Sequence, residues 1–206
     1  PEWMSEGFLK VEDPDMSGSY TAKDYLSWQL DELVELIRGK IYKMSPAPSS
    51  NHQDISIQFL DQMLDYFRNK ECSIFHAPFD VYFVHEGEHY KESKNIVEPD
   101  LCVICNASKI KKFGCVGAPD LLVEILSPST LTKDRKLKFE LYEEFGVLEY
   151  WIVSPANHSV TIHLLENKKY KTLKPLTSKE KLESKFFPGL EIELKKVFRN
   201  VTGNED

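Results

Sequence analysis

Two acids and one lysine stand where charge is expensive. Glu124 is the only charged residue in the apolar run Leu121 to Leu126. Asp100 follows Pro99 inside a second apolar run, Ile96 to Ile104. A bare carboxylate buried among such residues costs several kcal/mol or gives up its charge. A cation beside it removes that cost. Side chains alternate along a strand, so Glu124 shares a face with Leu122 and Leu126, and Asp100 points with Cys102 and Ile104. If the two strands are neighbours, the two carboxylates can share a metal ion. Two carboxylates with a backbone carbonyl and waters suit Mg²⁺ or Mn²⁺.

The third charge sits on a helix. Ser127-Pro128-Ser129 ends the Glu124 strand, and a helix is expected from about Thr130 to Phe145, stopped by Gly146. At about 100° per residue, Leu131, Leu137, Leu141, Tyr142 and Phe145 fall within an arc of roughly 140°. Lys133, Lys136, Glu140, Glu143 and Glu144 take the opposite side. Asp134 and Lys138 fall inside the apolar arc, one turn apart. They are either a buried ion pair or part of a site, and the helix directly follows the Glu124 strand. Two acids, a lysine and a divalent metal can bind a phosphate and activate water. The lysine then stabilises developing negative charge or helps orient and deprotonate the water.

These groups need a scaffold. Residues 1–20 read as an irregular lead-in, 21–200 as a single domain and 201–206 as a tail. Thr21 caps an expected helix to about Leu30, and Leu33–Arg38 with Lys40–Met44 form a hairpin about Gly39. A long helix is expected from about Ser50 to Asn69, with Ile55, Phe59 and Met63 on one stripe. His52 falls on that stripe, as a core or capping histidine or as a group facing a site. Ser73–Val84, Ile96–Ile104, Asp120–Leu126 and Glu149–Ser154 read as strands. The stretches 85–95 and 106–117 read as loops. His158–Leu165 and Tyr170–Leu173 continue as a meander. Phe186–Leu194 is expected as a last strand and Lys195–Asn200 as a turn of helix.

The chain has 206 residues, 41% hydrophobic and 29% charged, enough for a real core. Its formal net charge of −7 supplies no global pull toward nucleic acid or anionic membrane, though a local basic groove is compatible with it. No apolar run is long enough to cross a bilayer. The first residues carry no basic region followed by an apolar one, so no signal peptide is expected and a cytoplasmic setting is the default. Four cysteines do not suggest a disulfide framework. Cys102-x-x-Cys105 lacks a second such pair, which weakens a zinc or redox reading.

At these residues the sequence resembles the PD-(D/E)XK nucleases, and within them the Uma family of putative restriction endonucleases, catalogued as a domain of unknown function. The likeness lies in Glu35-Leu36-Ile37-Arg38-Gly39, His52-Gln53 and Glu98-Pro99-Asp100-Leu101. It continues through Ala118-Pro119-Asp120 to Thr130, Asp134-Arg135 with Lys138 and Tyr142, and Gly146-Val147 with Glu149-Tyr150-Trp151. It spans about Tyr20 to Phe198. It implies an α/β (α+β) restriction-endonuclease-like fold, with a mixed central β-sheet flanked by helices and a C-terminal β meander. It also implies a divalent-metal-dependent DNA endonuclease, with Asp100 and Glu124 as metal ligands. The lysine expected two residues after Glu124 is Leu126 here; the Uma pattern places it on the following helix, at Lys138. His52 and Glu35 match family positions near the site, and Asp134 would hold Lys138. Glu98 and Asp120 would serve turns or strand ends. Two copies would suit a cut in both strands, although the sequence marks no interface. A second reading is a nucleic-acid- or protein-binding module whose catalysis is weak or lost. A third is hydrolysis of another phosphate-containing substrate.

Overall fold

The structure is a computed structural model that describes residues 17–28, 33–44, 48–127 and 133–201, with the side chains of 133–135 left aside. The elements run α1 (Ala22–Tyr25), β1 (Val34–Ile37), β2 (Lys40–Lys43), α2 (Ser50–Phe67), β3 (Ser73–His76), β4 (Val81–Tyr82), β5 (Ile96–Val97), β6 (Leu101–Ile104), β7 (Ile110–Lys111), β8 (Gly114–Val116) and β9 (Leu121–Ile125). A π-helical turn (Lys133–Lys138) leads into α3 (Phe139–Phe145). Then come β10 (Glu149–Ser154), β11 (Ser159–Glu166), β12 (Lys169–Thr172), β13 (Leu176–Thr177), β14 (Lys181–Glu183), β15 (Glu191–Glu193) and α4 (Leu194–Val197).

The main sheet has the order β12-β11-β10-β9-β6-β3, with β13 also paired to β11. It is mixed: β9 and β10 run parallel, and the other pairs are antiparallel. A parallel neighbour requires a crossover, and the segment carrying the π turn and α3 provides it. Strand β9 is buried at every position, as a central strand covered on both faces must be. Helix α2 covers one face. Ser49 caps it by accepting a hydrogen bond from His52 N at 3.2 Å, and Ile55, Phe59, Met63 and Phe67 are buried at four-residue spacing. Each such side chain contributes about 1.5–3 kcal/mol through burial. They pack with Leu101, Val103, Leu121, Val123, Ile125 and Trp151.

The opposite face is covered by α3 and a second sheet of order β2-β1-β5-β4-β8-β7. Leu122, Leu126, Tyr142 and Tyr150 meet Ile37, Val81, Phe83 and Val97 there. A third cluster, around Leu36, Tyr82 and Ile96, lies under α1. The chain passes between the sheets through α2 and again at 77–80, 98–100, 105–109 and 117–120.

Three expectations are corrected, the first two by these passages. Ser73–Val84 is not one strand: β3 and β4 belong to different sheets, with the cis Ala77–Pro78 peptide between them. Ile96–Ile104 is likewise split, β5 in the second sheet and β6 in the main one. Proline removes the ladder donor, and Glu98-Pro99-Asp100 is the elbow. The loop expected over 106–117 contains the hairpin β7–β8. Further along, 186–190 is turn, and only Glu191–Glu193 forms a strand, paired with β14. Helix α1 is shorter than expected, and 29–30 lie outside the described residues, as do 1–16 and 202–206. Gly146 ends α3 in the left-handed region at φ 83°, as its position suggested.

The cysteines form a single disulfide, Cys72–Cys105, and Cys102 and Cys115 are free and buried. The Cys102-x-x-Cys105 pair splits, because Cys102 packs on the α3 side of the sheet and Cys105 on the α2 side. No described helix is long and apolar enough to cross a membrane.

Candidate active site

The two strands that carry the expected acids are neighbours. Strands β6 and β9 pair antiparallel with Leu101 opposite Val123 and Cys102 opposite Leu122. One step further along that register, Asp100 stands opposite Glu124. Asp100 occupies the elbow just before β6 and is half-buried. Its Oδ2 accepts a hydrogen bond from Ile125 N at 2.6 Å, which fixes the carboxylate against the end of β9. Its Oδ1 lies 3.2 Å from His52 Nε2, in the first turn of α2. His52 is therefore placed by the Ser49 cap at the mouth of the same site.

Glu124 is 3% exposed and Lys138 2% exposed. Lys138 Nζ donates to Glu124 Oε1 at 2.8 Å and lies 2.8 Å from Glu35 Oε1. Tyr142 OH donates to the same Glu124 oxygen at 2.6 Å. Lys138 and Tyr142 are four residues apart, so one face of the helical segment delivers both to β9. Glu35, fully buried on β1, also accepts from Glu98 N at 3.1 Å. One carboxylate thus ties the ammonium to the elbow that carries Asp100.

The helical wheel needs correction over 133–138, where the turn is π-helical. A wider turn advances less per residue, and such bulges recur at functional sites. Lys138 closes that turn and is buried, as expected. The side chain of Asp134, expected to hold Lys138, lies outside the described residues; Glu35 and Glu124 hold the ammonium in the described structure.

Residues 22–195 match the family Uma2, whose description is "Putative restriction endonuclease". The chain belongs to the Uma2 family. An uncharacterized protein of Synechocystis sp., slr1290, is 29% identical over 144 residues, 68% of this chain and 72% of that protein. The structure is similar to a crystal structure of a putative nuclease belonging to DUF820 from Anabaena variabilis. That likeness has a TM-score of 0.68 at 18% identity, covering 87% of this chain and 97% of the other. The chain has the fold of that protein, in agreement with the restriction-endonuclease-like fold expected from sequence.

Burial shifts the titration of several groups around this Uma2 site. Lys138 lies against Glu35 and Glu124, and its charge also reaches Glu98. Glu98 is 6% exposed, and its pKa is pushed up to about 7, first by desolvation and then by Asp80 and Glu35, against the opposing pull of Lys138. Asp80 is also raised, mainly by burial; Tyr82 OH and Tyr25 OH donate to it at 3.0 and 3.3 Å and oppose the shift. Burial and the Glu124 charge hold the Tyr142 hydroxyl well above its ordinary pKa, so it remains a donor. Reading Glu98 as a turn residue missed its burial beside this cluster. Asp120 does serve a strand end, accepting from Cys105 N at 2.7 Å.

No group of three or more His, Cys, Asp or Glu side chains able to hold a metal ion is assembled among the described residues. The donor set nonetheless fits Mg²⁺ or Mn²⁺, because such ions use one or two carboxylates and fill the remaining positions with water and substrate phosphate. Asp100 and Glu124 are two hard oxygen donors on adjacent strands, one register step beyond the Leu101–Val123 pair.

Proposed function

We propose that this Uma2 protein is a divalent-metal-dependent nuclease that hydrolyses phosphodiester bonds in DNA. One observation supports the reading above the others. Asp100 and Glu124 come from adjacent strands, one register step beyond the Leu101–Val123 pair, and Lys138 Nζ lies 2.8 Å from Glu124 although Leu126 occupies the usual lysine position. The helix thus supplies the ammonium that the strand lacks.

Asp100 and Glu124 would hold the ion. A bound Mg²⁺ or Mn²⁺ supplies Lewis-acid polarisation of a phosphoryl oxygen and a more acidic water. Lys138 offers its ammonium to the negative charge that develops on the phosphoryl group, in a setting where water is largely excluded. Glu35 and Glu124 fix the direction of that ammonium, and Tyr142 fixes Glu124. His52 sits against Asp100 at the edge of the site, where it can orient a water or the carboxylate. The chain's formal charge of −7 means that DNA meets this site through local cations and not through a global field.

A cleavage assay on single-stranded, double-stranded and branched DNA, with and without Mn²⁺, tests the proposal. Metal-dependent cutting by the wild type is expected, lost in Asp100→Ala, Glu124→Ala and Lys138→Ala while the proteins stay folded by circular dichroism. DNA affinity with no metal-dependent cutting by the wild type would make the chain a binding module. Undiminished cutting by Lys138→Ala would remove the lysine from the mechanism.

A further inference from the structure

A groove of about 390 Å³ opens on the same face of the main sheet as Glu124. Its floor comes from consecutive outward positions of two strands: Ile152 and Ser154 on β10, and Ser159, Thr161 and His163 on β11. Phe139, the residue after Lys138, forms a wall. The register locates the groove. Ile152 pairs directly with Glu124, and Thr161 pairs directly with Ile152. Strands lie ~4.8 Å apart, so Thr161 is roughly 10 Å from the Glu124 position along the sheet.

The chemistry of this lining is neutral. None of the described residues that line it is Asp, Glu, Lys or Arg. A phosphate or carboxylate would find no counter-charge there. Hydroxyls alternate with apolar surface, and an aromatic ring stands at one side. His163 is 6% exposed, and its Nδ1 lies 2.9 Å from Thr172 Oγ1. Its Nε2 is buried with no hydrogen-bond partner among the described residues. A buried polar nitrogen left unmatched costs free energy, about 1–3 kcal/mol, that a ligand group can recover. Burial lowers the His163 pKa to about 4, so the ring is neutral near pH 7 and presents one donor and one acceptor.

We propose that this groove is a subsite for one nucleobase of the bound strand, a reading that rests on the nuclease function proposed above. A base is planar, uncharged and edged with donors and acceptors, and single-stranded nucleic acid is held by stacking on aromatic rings. Phe139 supplies the ring, and Ser154, Ser159, Thr161 and His163 supply the edge contacts. The phosphate belongs beside Glu124 and Lys138, and the base of a flanking nucleotide lies over β10 and β11. Such a subsite would give the enzyme preference for a base near the cut.

The test is a titration of the full chain with the four deoxynucleosides, without metal, followed by NMR of backbone amides and of the His163 ring nitrogens. Saturable shifts at Thr161, Ser154 and His163 Nε2 are expected. They should disappear in Thr161→Trp, which fills the groove from a half-buried position. Thr161→Val removes only a hydroxyl, and should weaken affinity roughly two- to tenfold; it carries the test if the tryptophan variant does not fold. Absence of nucleoside shifts overturns the subsite, as does equal binding of deoxyribose alone or binding undiminished in both variants. Since the titration needs neither metal nor cleavage, failure of the nuclease reading would appear separately, as no cutting by a chain that still binds nucleosides.

Discussion

Replacing Lys138 by methionine should be among the most costly single changes in this chain. The ammonium is 2% exposed and lies 2.8 Å from both Glu35 Oε1 and Glu124 Oε1, two carboxylates that are 0% and 3% exposed. Methionine matches its length but removes the ammonium that both acids contact. A hydrogen bond to a charged group contributes about 1.5–3 kcal/mol, and breaking a buried pair by removing one partner costs about 3–5 kcal/mol. The expected loss is therefore about 4 kcal/mol. With a urea m-value of about 2 kcal/mol/M, the unfolding midpoint should fall by about 2 M. The measurement is equilibrium urea unfolding with a chelator present, so that no divalent cation replaces the lost charge. Adding Glu35→Gln to Lys138→Met should recover part of the loss, because one of the two carboxylates that contacted the ammonium is then neutral. A loss under about 1 kcal/mol would refute the argument that Lys138 is the buried counter-charge. Strict additivity of the two substitutions would refute the sharing of one ammonium by two carboxylates.

Three other outcomes follow from the same geometry. Mn²⁺ at a hundred times its Kd should stabilise the wild type by about 2.7 kcal/mol, read as a raised Tm, and the effect should vanish in Asp100→Ala/Glu124→Ala. Tyr142→Phe removes the 2.6 Å hydrogen bond to Glu124 and should cost about 1.5–3 kcal/mol in urea unfolding, with kcat for DNA cleavage reduced more than KM is raised. His163 has a folded-state pKa of about 4 against 6.5 for the ordinary side chain, so its contribution is complete above pH 6.5 and is lost as pH falls toward 4. Wild type should lose roughly 2 kcal/mol more than His163→Asn between pH 7 and pH 4.5, by urea unfolding at the two pH values.

Much of the site was legible because charge inside an apolar pattern is conspicuous. Glu124 stood out in β9, Asp100 beside Pro99, and Lys138 on the apolar side of a helix; the register and the buried ion pairs bring these segments together. What could not be read is where the chain changes sheets. Ile96–Val97 and Leu101–Ile104 are all buried, so local pattern gives one strand, while sheet membership is decided by distant partners, β1 and β4 for one piece and β3 and β9 for the other. Glu98 escaped for the same reason: its burial comes from packing near Glu35 and Asp80, which no local window contains. Tyr142 read as core, which it is, but its hydroxyl does a second job that hydrophobic periodicity does not register. The π turn was hidden because α-periodicity was assumed from Thr130 onward.

A second buried acid, Glu149, is held quite differently from Glu124. Glu149 begins β10, the strand beside β9, and is fully buried. Its partners are Trp151 Nε1 at 3.0 Å, Ser184 Oγ at 2.6 Å, and the backbone N–H groups of Lys185 and Phe186 at 3.2 Å each. All four donors are neutral, and three belong to the segment that follows β14. Glu149 therefore staples the C-terminal turn to the main sheet, and its charge is met by dipoles fixed by the fold. Glu124 is met instead by an ammonium and a phenol from one helical segment, on the opposite face of the sheet and across from a second carboxylate. An acid that serves only to join segments needs donors; it does not need another acid facing it. Asp100 lies one register step beyond the β6–β9 pairs, and under the proposed function a divalent cation shared by the two carboxylates would turn their mutual repulsion into binding energy. The contrast between two buried glutamates on adjacent strands thus sets a charge held by neutral donors apart from the one to which the proposed function gives a chemical use.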